Sequence, residues 1–177
     1  MMHGFQNGPA FLGGKAGQAL TGEAVPGSDK GGTMFEKILY ATDFSDEARE
    51  ALEYVKKLKD AGGQEVVLLH VIDRRGLDDL AKFSKKDVPN VLGDLEKKMA
   101  GEMLPLEKEL RDKGFTVTKR IEKGGPCNEI LRVADEEKVS VIVVGSHGKS
   151  NIDQMLLGTV SYKLVKRVKK PILVIKK

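Results

Sequence analysis

Val141-Ile142-Val143-Val144-Gly145-Ser146-His147-Gly148, an unbroken β-branched run that empties into glycines, decides the fold of this chain. Four consecutive apolar residues without alternation describe a strand buried on both faces, as in a parallel sheet covered by helices. After nine further residues come Gly158 and Thr159. They open a stretch in which Val160, Leu164, Val165 and Val168 recur at helical spacing opposite lysines.

The same alternation extends back to Phe35. Strand-like runs occupy Lys37 to Ala41, Glu65 to Ile72, Phe115 to Ile121, Ser140 to Val144 and Pro171 to Ile175. Helical stripes lie between them: Ala48, Leu52, Val55 and Leu58, then Leu92, Leu95, Met99, Met103, Leu106 and Leu110, then Asn128 to Glu137. Gly101 and Pro105 predict a bend or restart in the second helix, because proline lacks the amide that an interior helical bond needs. Apolar strands alternating with helices predict an α/β fold, a doubly wound five-stranded parallel sheet sandwiched by helices. Ligands of such sheets sit beyond the carboxyl ends of the strands, where the winding reverses. That places Ala41 to Ser45, Val71 to Asp73 and the segment from Gly145 onward at the candidate site.

Residues 1–33 carry nine glycines and no apolar period, and read as a disordered tail or a start-site or vector-derived extension. The expected domain is 34–177. The composition is globular, and no apolar run approaches the roughly 20 residues of a membrane span. The lone Cys127 forms no internal disulfide, so the expected compartment is cytoplasmic. The net charge of +4 is concentrated late, since no acidic residue follows Asp153. Without interleaved aromatic residues this basic segment lacks platforms for bases, which argues against nucleic acid; lysines near a helix C-terminus suit its dipole.

Gly145, Gly148 and Gly158 admit positive φ angles and let amides converge on an anion without a Cβ in the way. A helix starting near Thr159 adds unpaired amides, and the Ser146 and Thr159 hydroxyls are candidate donors to the same oxygens. A glycine-rich turn before a Thr-capped helix explains the glycines equally well. Asp43 at the first strand's end faces the crevice, where it can accept from a ribose or base, or else cap its own turn. Ser45 reads as the N-cap of the next helix. Val71 is placed to pack on an adenine face, or is simply core.

The segment 34–177 resembles the universal stress protein family, and in particular its ATP-binding branch. The residues that carry this are Lys37-Ile38-Leu39-Tyr40-Ala41-Thr42-Asp43-Phe44-Ser45, His70-Val71, and Gly145-Ser146-His147-Gly148 followed by Gly158-Thr159. The resemblance implies a Rossmann-like, adenine nucleotide alpha hydrolase-like domain with a nucleotide-dependent role in stress response or signalling. It implies that Thr42, Asp43 and Val71 contact adenosine. Gly145, Gly148, Gly158 and Thr159 would hold the phosphates, with Ser146, His147, Val160 and Ser161 beside them. It further implies ATP as ligand, Mg2+ or Mn2+ through the phosphates, and a homodimer through the edge strand 171–176. Ser140 stands where relatives often have Asp, a change in a local cap.

Rival users of this architecture fail on particular residues. An FMN loop after the first strand would meet the Asp43 carboxylate; a receiver domain needs an acceptor Asp after the third strand, where Glu122-Lys123-Gly124 stands. Gly148-Lys149-Ser150 matches only the last three positions of a P-loop. No general base presents itself: His147 reads as a surface or phosphate-donor histidine, His70 and His3 lack metal-ligand spacing, and Cys127 reads as an inert small side chain. A binding module is therefore expected, the alternatives being a weak divalent-cation-dependent ATPase and a nucleotide-free dimeric interaction module. The charged segment between Asp73 and Asn90 is a candidate lid or partner surface.

Overall fold

The sheet grows outward in both directions from its first strand. A computed structural model describes residues 34–74, 88–148 and 157–176. Within them the chain runs β1 (Lys37–Ala41), α1 (Asp46–Lys57), β2 (Glu65–Asp73), α2 (Val88–Asp112), β3 (Thr116–Gly124), α3 (Pro126–Glu136), β4 (Val141–Gly145), α4 (Thr159–Arg167) and β5 (Ile172–Ile175). The five strands lie in the order β3-β2-β1-β4-β5, and every pairing is parallel. The expected doubly wound architecture is present. The expected tail, residues 1–33, lies outside the described residues, as do 75–87 of the candidate lid.

Alternation along the strands divides the core into two layers, because successive side chains leave opposite faces. Ile38, Tyr40, Val66, Leu68, Val141 and Val143 meet α1 and α2 through Leu52, Val55, Met103, Leu106 and Leu110. Leu39, Val67, Leu69, Ile142 and Val144 meet α3 and α4 through Ile130, Val133 and Leu164. Tyr40 is wholly buried and donates its hydroxyl to the Ala48 carbonyl at 2.5 Å. Burial pushes the Tyr40 phenol up to about 12.

The structure narrows one expectation about the helices and corrects another. Helix α2 passes through Pro105 without restarting. Pro105 is exposed, whereas Met103, Leu106 and Leu110 on either side of it are buried on the sheet; that burial outweighs the roughly 3 kcal/mol of an interior proline. On α4, Val165 is 46% exposed and the buried positions are Ser161 and Leu164. The apolar stripe there is narrower than its valines suggest, because a hydroxyl with partners occupies one of its positions.

Ser140 is a stitch at the start of β4. Its Oγ accepts from the Lys37 amide and donates to the Lys37 carbonyl, both at 2.9 Å. Next to it an ion-pair network ties α3 to three strands: Glu137 accepts from Lys37 at 2.9 Å and Arg120 at 2.8 Å, while Lys37 also meets Glu65. The hydrogen bond from Lys37, reinforced by that from Arg120, holds the Glu137 carboxyl below the usual range despite the opposing effect of burial. A carboxylate with a depressed folded-state pKa contributes stability above its unfolded value of about 4.3, and loses it as pH falls through the folded value. Glu137→Gln is therefore expected to lower stability by about 1 kcal/mol at pH 7, or about 3 °C in Tm. In thermal melts this gap from the parent protein narrows as pH falls below about 4.3.

Candidate functional site

The winding reverses between β1 and β4, where Ala41 pairs with Val144, so two βα loops leave adjacent strand ends with no strand between them. The first loop is tightly held. Thr42 extends the ladder by donating its amide to the Leu69 carbonyl at 2.9 Å, and its Oγ1 accepts from the Phe44 amide at 3.0 Å. The Thr42 carbonyl accepts from His70 Nδ1 at 2.8 Å, which fixes the tautomer, since a carbonyl only accepts. Phe44 adopts the left-handed region at φ 63, and its ring lies 4.8 Å from the His70 ring. His70 thus belongs to the packing that supports the loop.

The turn-capping reading of Asp43 is present in the geometry. Its Oδ1 accepts from the Ser45 amide at 3.0 Å and from the Ser45 hydroxyl at 2.6 Å, turning the loop into α1. Ser45 Oγ in turn accepts from the Ala48 amide, as an N-cap does. The other oxygen, Oδ2, reaches the glycine loop: a Cβ built on Gly148 would stand 2.5 Å from it.

The second loop is knotted at one carbonyl. Ser146 donates its amide to the Ile175 carbonyl at 2.6 Å, and its own carbonyl accepts from the Gly158 amide at 2.8 Å and the Ser161 hydroxyl at 2.6 Å. Both ends of the loop are thereby brought together, while residues 149–156 between them lie outside the described residues. Gly158 is the N-cap of α4 and supplies no side-chain cap, so the first amides of the helix keep the positive end of the dipole uncovered.

Positive φ is not what the glycines here provide: among the described residues the positive-φ glycines are Gly62, Gly114 and Gly124. The need is for close approach. A Cβ on Gly145 would sit 2.9 Å from the backbone of Glu47 and Ala48, and one on Gly158 would sit 3.1 Å from the Ser146 carbonyl. Gly145 lets α1 lie against β4, Gly158 lets the start of α4 close on Ser146 and His147, and Gly148 lies against the Asp43 carboxylate.

These elements enclose a hollow of about 980 Å³. Thr42, Asp43, Val71, Gly145, His147, Gly148, Gly158, Thr159, Val160 and Ser161 line it, as the sequence predicts for the site. Ser146 does not. It is 1% exposed, with its Oγ in a 3.0 Å hydrogen bond to His147 Nδ1, so its predicted hydroxyl donation to a ligand is replaced by the main-chain knot. Val71 lies inside β2, which continues to Asp73, and it packs against the α3–α4 layer.

The sequence reading missed one wall. Gly125, Pro126, Cys127 and Asn128 from the start of α3, together with Lys163 and Arg167 of α4, also line the hollow, over a floor that includes Ala41, Leu69, Ile130 and Val144. The Gly124-Gly125-Pro126 break after β3 was the available signal, since it too follows a strand's carboxyl end. Arg167 Nη1 donates to Asn128 Oδ1 at 2.7 Å and lies 3.7 Å from the sulfur of the buried Cys127. Among the described residues no three His, Cys, Asp or Glu side chains gather as a metal site, and no helix is long and apolar enough to cross a membrane. Gly145→Ala is expected to destabilise the fold by about 1–3 kcal/mol through overpacking against α1. Gly148→Ala, which meets only the movable Asp43 carboxylate, is expected to shift the apo melting temperature far less; parallel thermal melts compare the two.

Comparison with known proteins agrees with this geometry. The Universal stress protein family matches residues 34–176. Universal stress protein MJ0577 of Methanocaldococcus jannaschii is 41% identical over 156 residues, spanning 81% of this chain and 96% of that protein. Its solved structure superposes with a TM-score of 0.74, covering 81% of this chain and 97% of that one. Two more distant universal stress proteins share the fold: one in complex with cAMP, at 18% identity and TM-score 0.59, and one from Archaeoglobus fulgidus in complex with dAMP, at 19% and 0.55. They cover 80% and 81% of this chain and 97% and 99% of their own.

Proposed function

The chain belongs to the universal stress protein family, a stress-response family, and from that premise we propose that its hollow binds ATP, making it a nucleotide-dependent cytoplasmic module. One observation carries the reading. The first turn of α4, Thr159 to Ser161, has no side-chain cap and opens onto the hollow beside Gly148, in a space that a Cβ on Gly148 would crowd against Asp43. Such a space beside unpaired amides suits phosphate oxygens. The adenine mononucleotides held by the two distant relatives are consistent with it.

In this reading Asp43 and Thr42 receive the ribose or base at the end of β1, and Val71 packs on the base. Gly145, Gly148 and Gly158 lie beside the phosphates, which the Thr159, Val160 and Ser161 amides receive, and His147 flanks them. Mg2+ or Mn2+, arriving with the nucleotide, would offset its charge. Binding is favoured over turnover because, among the described residues, the His147 ring is engaged with Ser146 and the Asp43 carboxylate with Ser45. The edge position of β5, with Ile172, Leu173 and Val174 only partly buried, supports a homodimer formed by pairing of 171–176 with a second copy. The domain is 34–177, with 1–33 as an appended tail.

ATP at about a hundred times its Kd is expected to stabilise the folded chain by about 2.7 kcal/mol, read as a rise in melting temperature. Gly148→Val, which fills the cradle with a branched side chain, is expected to remove that rise while the apo protein still melts cooperatively; unchanged ATP affinity in this variant would overturn the assignment. Single-turnover mixing separates binding from hydrolysis, the expected outcome being stoichiometric binding without phosphate release.

A further inference from the structure

We infer that Lys163 and Arg167 read the length of the ligand's phosphate chain, so that the hollow selects nucleoside polyphosphates over monophosphates; this rests on the nucleotide reading of the same hollow. Thr159, Lys163 and Arg167 follow one another at four-residue intervals along α4, and all three line the hollow. Four residues rise about 6 Å, so the three positions form a ladder about 12 Å long descending from the uncapped helix start. An anion seated at Thr159 has these two cations as its next neighbours along the wall.

Their charge is not spent elsewhere. Lys163 and Arg167 meet no carboxylate among the described residues, whereas Arg120 and Arg132 are each held by several glutamates. Arg167 is positioned by a neutral acceptor, the Asn128 Oδ1 at 2.7 Å, which fixes its guanidinium between α4 and α3 without cancelling its charge. The hollow is also polar in its charge: Asp43 and Asp73 line the side formed by β1 and β2, and the cations line the side formed by α4. A lengthening chain of phosphates is repelled from the first side and drawn along the second. A monophosphate, satisfied by the amides at the helix start, gains little from the two lower rungs.

Isothermal titration with ATP, ADP and AMP at fixed ionic strength tests this. The parent protein is expected to bind ATP about tenfold or more tightly than AMP, with ADP between them. Lys163→Gln, Arg167→Gln and Asn128→Asp are each expected to reduce the ATP-to-AMP affinity ratio about fivefold. Asn128→Asp is the sharpest of the three. It deletes no cation, differs from the parent by little in size, and gives Arg167 a carboxylate partner, so its thermal melt controls for folding. A ratio that stays at its parental value in all three variants, or a parent protein that binds AMP as tightly as ATP, overturns the inference and leaves the nucleotide site standing. A parent protein that binds none of the three nucleotides overturns both.

Discussion

The pairing of β1 with β4, from Ile38 opposite Val141 to Ala41 opposite Val144, is the constraint on which the rest of the structure depends. It joins segments about a hundred residues apart in sequence, and it reverses the direction in which the sheet grows. Two loops that leave the same edge of a sheet usually have a strand's width of covered surface between them. Here they leave side by side, and their helices, α1 and α4, pack on opposite faces. The gap between them is the mouth of the hollow. Gly145 belongs to this constraint more than to the ligand, since its missing side chain is what allows the start of α1 to rest against β4.

Given that pairing, most polar side chains in the described parts of the two loops are occupied in holding shape. Asp43 turns the first loop and caps Ser45; His70 and Phe44 brace Thr42; the Ser146 carbonyl gathers Gly158 and Ser161. Main-chain amides, glycines and an apolar floor face the hollow, between Asp43 and Asp73 on one side and Lys163 and Arg167 on the other. Such a surface binds by shape and by dipoles that are already oriented, with little reorganisation on loading.

Electrostatics divides the molecule in a similar way. On the outer face of α3 the charges are mutually satisfied: Arg132 sits among Glu122, Glu129 and Glu136, and Arg120 among Glu122, Glu136 and Glu137. This network links β1, β3 and α3 along the outer face of that helix. Along α4 the cations lack such partners. A net charge of +4 therefore understates the asymmetry, since the balanced charges stabilise the scaffold and the unbalanced ones face the cavity or the solvent.

The strands, the helical stripes and the two loops at the site were legible in the sequence, because burial on one or both faces imposes periods of two and 3.6 that a linear reading detects. The apolar run Lys37–Ala41 coincides with β1 to the residue, and Thr42, Asp43, Gly148 and Gly158, which stand out in the sequence, line the hollow. Tertiary structure alone decided the rest. Periodicity could not say that Ser161 would displace Val165 from the packed stripe, nor that Ser146 would bond inward to His147. It could not foresee that Pro105 would be carried through a helix by buried neighbours. Nor could it bring Asn128 to Arg167 or Lys163 to the hollow, since those contacts follow from which helices share a face of the sheet. Local sequence determines which way each residue prefers to face; only the order in which distant strands pair determines what it faces.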